Sequence, residues 1–221
     1  IKVKGVKFIG SASRVLYNDD GDDCQNRNAL LNLIKVCRKE KNVWKTRRLH
    51  ANALKQRLIY KDVYISTALI TTYAKCGVMG DAREVFEQVP EPNVVTWSAI
   101  ISGFCQCGQG KEAFQYYKQM KQEGIKPNEY TIVSMLKACS SLSAMGEGIQ
   151  VHMSFIECGF YLDTYVGNAL IDMYAKCGSL QNAYRIFNQL AKRDVVTWSS
   201  LIAGCAQHEE GQAAIQHYLA M

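Results

Sequence analysis

The chain has 221 residues, of which 48% are apolar and 21% charged, and its formal net charge is +6. No segment approaches the ~20 apolar residues that span a bilayer, and three prolines without any low-complexity run leave no internal linker, so we expect one elongated domain and no membrane contact. The positive charge is N-terminal: residues 1–62 hold 15 Lys and Arg against 6 Asp and Glu, whereas residues 63–221 hold 11 against 14.

The first 26 residues do not fit the pattern of the remainder. Positions 1–18 contain basic residues and no acidic ones, and a cluster of aspartates then surrounds Gly21. A basic, acid-poor start is typical of a transit peptide, and an ordinary flexible leader is an equally good interpretation. We predict that residues 1–26 form a leader outside the folded domain.

From residue 27 onward the sequence repeats itself. Tyr-Ala-Lys-Cys-Gly at 73–77 and Val-Val-Thr-Trp-Ser at 94–98 both return 101 positions later, at 174–178 and 195–199. Because two separate sequence segments recur at the same offset, a whole block of the chain has been duplicated. The apolar pattern of this block divides it into smaller units. The predicted units, in chain order, are 27–62, 63–93, 94–128, 129–163, 164–194 and an incomplete sixth unit, 195–221.

Each unit has the pattern of two amphipathic helices. In the unit 94–128, apolar residues recur three and four apart in 98–104 and again in 112–120, which indicates one buried face per helix. Gly108 lies where the first helix should end, and Pro127 lies between units, where a helix cannot continue. A lone helical hairpin cannot cover its apolar face. We therefore predict an all-α fold, an α-solenoid of stacked helix-turn-helix repeats.

Nine cysteines raise the question of a metal site or disulfides. No Cys-x-x-Cys pair is present and most cysteines recur at matching positions, as Cys76 does with Cys177, so we interpret them as small buried residues in a reducing compartment. His208-Glu209-Glu210 fits half of a zinc deaminase signature, but nothing that follows it could ligate zinc. We predict no catalytic residue, no metal and no cofactor, and interpret the visible chain as non-enzymatic.

The unit 94–128 resembles a pentatricopeptide repeat, from Val-Val-Thr-Trp-Ser-Ala-Ile-Ile-Ser-Gly at its start to Ile-Lys-Pro-Asn at its end. Its alternation with 31-residue units carrying Asn-Ala-Leu-Ile-x-x-Tyr-Ala-Lys-Cys-Gly resembles the subclass of this family with P, L and S motifs, which is typical of land-plant organellar proteins. The resemblance implies a right-handed solenoid of about five and a half motifs over residues 27–221. The motifs would be L (27–62), S (63–93), P (94–128), L (129–163), S (164–194) and partial P (195–221).

This resemblance implies binding of single-stranded RNA, with one base read per repeat. In the family, the fifth and last residues of a motif read the base and the second residue flanks it. The implied readers are Thr67 with Asn93, Ser98 with Asn128, Asn168 with Asp194, and Ser199 in the incomplete motif. The implied flanking residues are Tyr64, Val95, Tyr130, Tyr165 and Val196.

The two L motifs depart from this pattern. Their fifth residues are the aliphatic Leu31 and Val133, which cannot hydrogen-bond a base, and their last residues are Asp62 and Asp163. We expect these motifs to read weakly or to act as spacers. With RNA running 5′ to 3′ along the repeats, as in the family, the implied core is A-A-N-U, followed by a purine preference at Ser199.

An alternative role exists for every implied reader. Asn and Asp at the ends of units are also common helix caps, so Asn93, Asn128 and Asp194 are candidates for capping the following helix instead. At the level of function, three hypotheses remain. The first is a transcript-selective RNA binder of a mitochondrion or chloroplast, most consistent with recognition of C-to-U editing sites together with editing-complex proteins or a deaminase in trans. The others are a protein-interaction or structural solenoid of an organellar ribonucleoprotein such as a ribosome, and the recognition half of a deaminase.

Overall fold

A computed structural model describes the backbone of residues 23–221 and the side chains of residues 27–221. Residues 1–22 of the predicted leader therefore lie outside the described residues. Thirteen α-helices and no strand make up the described part, which confirms the all-α prediction. The helices are α1 (Asp23–Glu40), α2 (Val43–Lys55), α3 (Leu58–Lys61), α4 (Val63–Lys75), α5 (Met79–Glu87), α6 (Val94–Gln106), α7 (Gly110–Gln122), α8 (Glu129–Leu142), α9 (Met145–Glu157), α10 (Thr164–Lys176), α11 (Leu180–Gln189), α12 (Val195–Gln207) and α13 (Gly211–Ala220).

Except for the single turn α3, the helices form six hairpins, each with a first and a second helix joined by a tight turn. Gly108, with φ of 72°, ends α6 in the left-handed conformation. The N–H of the next residue, Gln109, donates to the carbonyl of Phe104 at 2.9 Å, and the N–H of Gly108 donates to Cys105 at 3.2 Å, which is the Schellman pattern. The same arrangement follows α4 at Gly77. The turn glycines thus fix where the chain reverses.

The hairpins stack in chain order. Each first helix packs against the first helices before and after it, and each second helix packs on the first helix of its own hairpin and of the next one. No second helix makes a substantial contact with another second helix in the described chain. The first helices are therefore closer together than the second helices, and their layer forms the inner side of a curved α-solenoid.

The sequence duplication reappears in the packing. Trp97 is fully buried with its ring 4.7 Å from that of Phe86, edge on, and Trp198 lies 4.8 Å from Phe187 in the same geometry. Both members of the second pair lie 101 residues after those of the first. Aromatic pairs at such distances add about 0.5–1.5 kcal/mol to the free energy of area burial. In each pair, an aromatic ring of the second helix of one hairpin packs against the tryptophan in the first helix of the next hairpin.

Two glycines allow the first helices to approach closely. A Cβ atom at Gly103 in α6 would lie 2.9 Å from the Cβ of Ala74 in α4, and one at Gly204 in α12 would lie 2.6 Å from the Cβ of Ala175 in α10. Real Cβ contacts are longer than this, so neither position has room for a side chain. Both alanines belong to the repeated sequence Tyr-Ala-Lys-Cys-Gly. This short sequence therefore supplies both the alanine of the helix contact and the glycine of the turn.

Two histidines at matching positions make the stability of the fold dependent on pH. Nδ1 of His50 lies 3.2 Å from the hydroxyl of Tyr73, and Nδ1 of His152 lies 2.8 Å from that of Tyr174. Burial lowers the pKa of both imidazoles below the usual 6.5. The unfolded chain therefore takes up these protons first as the pH falls, and the folded state loses stability below about pH 6.5.

We expect the thermal unfolding midpoint to fall between pH 7.5 and pH 5.5, and to fall less in the double variant H50Q/H152Q, in which the two imidazoles no longer titrate. Differential scanning fluorimetry at both pH values measures this. Equal falls in the variant and the unmodified protein would show that other groups dominate the acid response.

Candidate nucleic-acid interface

An exposed row of side chains follows the inner layer of helices. The second residue of each first helix from α4 to α12 is between 47% and 72% exposed, although each is aliphatic or aromatic. The five residues are Tyr64, Val95, Tyr130, Tyr165 and Val196, all of them predicted to flank bases. Two of the tyrosines carry a cation on the ring: the guanidinium of Arg27 lies 5.2 Å from the centre of Tyr64, and the Lys137 ammonium lies 6.0 Å from that of Tyr165. Flat apolar surfaces beside positive charge suit stacked bases and their phosphates.

The last residue of each motif caps the first helix of the next motif. Oδ1 of Asn93 accepts a hydrogen bond from the backbone N–H of Val95 at 2.9 Å. Oδ1 of Asn128 accepts from the backbone N–H of Thr131 at 2.9 Å, and Oδ1 of Asp194 accepts from the backbone N–H of Thr197 at 2.8 Å. Asn93, Asn128 and Asp194 therefore do cap the following helices, which is the alternative role considered from the sequence. Capping occupies one polar atom of each side chain and leaves the other, an amide Nδ2 or the carboxylate Oδ2, without a hydrogen bond from the described residues.

The geometry also brings predicted readers together. The Ser98 hydroxyl lies 3.2 Å from Oδ1 of Asn128 and 2.7 Å from Oγ1 of Thr131, and Nδ2 of Asn168 donates to Oδ1 of Asp194 at 3.1 Å. Thr67 and Asn93 make no such contact. Instead, Oγ1 of Thr67, like Oδ1 of Asn168, is a buried polar atom that no described group hydrogen-bonds. Unsatisfied buried polar atoms are uncommon in folded proteins and suit a site that a ligand completes.

The positions differ in how far they reach solvent. Ser98 is only 4% exposed and contacts both Asn128 of its own motif and Thr131 of the following motif, whereas Ser199 of the incomplete motif is exposed. The hydroxyl of Ser199 donates to the carbonyl of Val196 at 3.1 Å. Of the readers named from the sequence, Ser98 is thus the most enclosed.

The positions expected to read weakly are engaged in the fold. Val133 is 2% exposed and Leu31 packs against the core. Asp62 caps α4 through the N–H of Tyr64 at 2.9 Å and also forms an ion pair with Arg27, so both carboxylate oxygens are occupied. Asp163 caps α10 through the N–H of Val166 at 2.9 Å. The aliphatic fifth residues therefore offer no polar group at the inner surface.

Between α4 and α6 the inner surface opens into a cleft of about 300 Å³. Its walls include predicted residues from three successive motifs, and these residues are Thr67, Val95, Ser98, Asn128 and Tyr130. Sequence reasoning missed further lining residues, among them Thr71, Lys75, Ser102 and Gln106. These follow Thr67 and Ser98 by four and eight positions, so the helical period alone could have located them.

Other chemistry in the described residues is limited. Burial raises the pKa of the Cys105 and Cys139 thiols to about 12, which leaves both protonated and weakly reactive at neutral pH. His208 follows α12, with Nε2 2.7 Å from the carbonyl of Ala175. Within residues 23–221 no group of His, Cys, Asp and Glu is arranged to hold a metal, and none of the helices found there is long and apolar enough to cross a bilayer.

Comparison with known proteins identifies the repeat. Three protein-family models match parts of the chain. They are described as "PPR repeat family" over residues 92–141, "PPR repeat" over 168–195 and 196–221, and "Pentatricopeptide repeat domain" over 52–102. A chloroplastic pentatricopeptide repeat-containing protein of Arabidopsis thaliana is 36% identical over 82% of this chain, and a mitochondrial one is 39% identical over 77%. The chain spans 29% and 26% of the length of these relatives.

The fold matches solved repeat structures. The pentatricopeptide repeat protein PPR10 from maize superposes with a TM-score of 0.74 at 21% identity, covering 88% of this chain and 29% of PPR10. PPR10 in complex with an 18-nt psaJ RNA element gives the same TM-score over 87% of this chain and 30% of PPR10. The likeness confirms the predicted right-handed α-solenoid. On its repeats and on its fold, the chain belongs to the pentatricopeptide repeat family.

Proposed function

We propose that the chain binds single-stranded RNA selectively on its inner face, with one base read at each junction between two motifs. The cleft between α4 and α6 carries this proposal, because it places two fifth residues and one last residue around one space, between the exposed side chains of Val95 and Tyr130. Its volume of about 300 Å³ is at the lower end of the range for small-ligand sites, which suits a single base. The bound RNA of PPR10 supports this choice of ligand.

The free polar atoms fit the bases implied by the family code. Adenine offers the N1 acceptor and the N6 amino donor, so the free amides of Asn93 and Asn128 can donate to N1 and the unpaired hydroxyl of Thr67 can accept from N6. Uracil offers the N3–H donor, which suits the free carboxylate oxygen of Asp194. Hydrogen bonds from Thr197 lower the pKa of Asp194, so this carboxylate is an acceptor at neutral pH. The proposed core is therefore A-A-N-U, with the motif 129–163 supplying the unread position.

The test compares affinity for a short A-A-N-U RNA with that for U-U-N-U, at one moderate salt concentration. We expect the unmodified protein to prefer the first, and T67N and S98N each to weaken that preference, because the longer amide leaves less room for a purine. A mismatched base-specific contact is worth about 1–3 kcal/mol, or roughly 5- to 150-fold in Kd.

Ser141, an exposed residue at the end of α8, provides the matched control S141N, which should bind like the unmodified protein. Because Ser98 is buried, thermal unfolding of S98N must accompany its binding data. Equal binding of both RNAs by the unmodified protein would contradict base reading at these junctions.

We further propose that the protein acts on organellar transcripts, most specifically in recognising C-to-U editing sites with editing-complex proteins or a deaminase in trans. The chloroplastic and mitochondrial relatives support an organelle, and the P, L and S motif series read from the sequence supports the editing role. Loss of editing at sites preceded by the recognised core, in plants lacking the protein, would test this role.

A second candidate function is a protein-interaction or structural solenoid of an organellar ribonucleoprotein. One observation favours it: Ile149, Met153 and Ile156 are 44–55% exposed on α9, a second helix, and their spacing of four and three places them on one face. RNA binding that ignores base sequence, together with loss of a complex when Met153 is changed to Glu, would favour this function over base reading.

A further inference from the structure

The first motif carries a surplus of positive charge that the residues described in the structure do not neutralise. Residues 27–62 contain eleven Lys and Arg against two Asp and Glu. Lys45 is paired with Glu40, and Arg47 with Asp81. Four further cations, Arg38, Lys39, Lys41 and Arg48, form no ion pair with any residue that the structure describes.

These four cations lie within six residues of an exposed tryptophan, Trp44, in the chain. Arg38 and Lys39 occupy the last turn of α1, and Lys41 follows in the left-handed turn with φ of 50°. Trp44 lies in the first turn of α2 with 78% of its surface exposed, and Arg48 is one turn further along the same helix. We call Arg38, Lys39, Lys41, Trp44 and Arg48 the basic edge.

The basic edge adjoins the end of the cleft. The helices α1 and α4 run in the same direction, since Arg27 near the start of α1 pairs with Asp62 at the start of α4. Because α1 packs along α4 in this direction, the last turn of α1 and Lys41, which follows it, lie at the same end of the two helices as Lys75 in the last turn of α4. Lys75 lines the cleft. The positive surface thus continues from the cleft toward the N-terminal side of the solenoid.

We propose that the basic edge binds the single-stranded RNA immediately 5′ of the recognised core, without reading its sequence. This inference rests on the proposed function and on RNA running 5′ to 3′ along the repeats. The four cations pair with phosphates, and the indole of Trp44 stacks on a base, a combination that binds single strands of any sequence. An acidic peptide would satisfy the cations but would leave the indole without its preferred partner. The continuity with the cleft also favours RNA.

The experiment measures anisotropy with three RNAs: the A-A-N-U core alone, the core with a short oligouridine added 5′, and the core with the same oligouridine added 3′. We expect the 5′ addition to tighten binding about tenfold or more, since one stacked base alone is worth roughly 5- to 150-fold in Kd. The variant R38Q/K41Q/R48Q should lose most of this gain and lower the slope of log Kd against log salt by about 2. W44A should lose the stacking part of the gain while keeping the salt slope.

The matched control is K111Q/K118Q/R185Q, which removes three exposed cations from the second helices α7 and α11 and should retain the 5′ gain. An equal gain from the 3′ addition, or a 5′ gain that survives in R38Q/K41Q/R48Q, would overturn the inference while leaving the core recognition intact. If the core itself does not bind, the proposed function fails. Oligouridine binding that depends on Trp44 would then still support RNA binding at the basic edge. A lack of oligouridine binding would refute it. Tighter binding of oligoglutamate than of oligouridine would instead assign this surface to a protein partner.

Discussion

Replacing Gly204 with alanine is expected to destabilise the protein by about 1–3 kcal/mol. The new Cβ would lie 2.6 Å from the Cβ of Ala175 and 3.2 Å from Cδ2 of Leu180. The methyl group of Ala175 is fixed to its helix and cannot rotate away, so α12 must move outward from α10. Urea unfolding followed by circular dichroism measures the loss. Gly103, at the matching position, should respond in the same direction, because its Cβ would lie 2.9 Å from that of Ala74.

Gly80 is the matched control for this prediction. It lies within α5, and a Cβ there would meet nothing within 4 Å. Because alanine is the better helix former, G80A should be neutral or stabilising by up to about 1 kcal/mol. The double variant A175G/G204A should recover part of the stability lost in G204A, since it removes the opposing methyl group. A G204A protein as stable as G80A would show that the first helices are not held at this distance by packing.

Replacing Asp194 with asparagine is expected to separate base reading from helix capping. Asparagine and aspartate cap helices about equally well, so the substitution D194N keeps the contact between the side-chain oxygen and the N–H of Thr197. It changes only the free atom, from a carboxylate oxygen that accepts to an amide nitrogen that donates. Uracil presents the N3–H donor, whereas cytosine presents an acceptor at N3, so the preference at this position should move from uracil toward cytosine.

The measurement is the affinity of D194N for A-A-N-U and for A-A-N-C. We expect a loss for the first of about 1–3 kcal/mol, or roughly 5- to 150-fold in Kd, with unchanged thermal stability. D163N is the matched control, because Asp163 also caps the next first helix but ends a motif whose fifth residue is the buried Val133. An unaltered base preference in D194N would leave capping as the role of Asp194.

The repeat architecture was predictable because its signals are local and recur. The helical period, the turn glycine Gly108 and the proline between units, Pro127, each act within a few residues of chain. The capping role of the last residue in each motif was equally accessible, since short polar side chains before an apolar run are a strong sign of a helix start.

The shape of the interface was less predictable because it depends on contacts between motifs. Ser98 is enclosed by Thr131, 33 residues later, and nothing local to Ser98 indicates this burial. The close approach of Gly103 to Ala74 likewise appears only once the spacing of the helices is known. The assignment of bases to Thr67, Ser98 and Asn168 stays a prediction drawn from the family code.

The helix caps have a consequence for how such arrays are divided into exchangeable parts. The last residue of a motif is held by the backbone of the next motif, as Asn128 is held by the N–H of Thr131. Each proposed base-reading pair is therefore complete only when the following first helix is in place. Chimaeras joined at motif boundaries would separate the last residue from the helix that orients it. Joining them instead within the hairpin turn, at Gly108 for example, would transfer each pair together with its support.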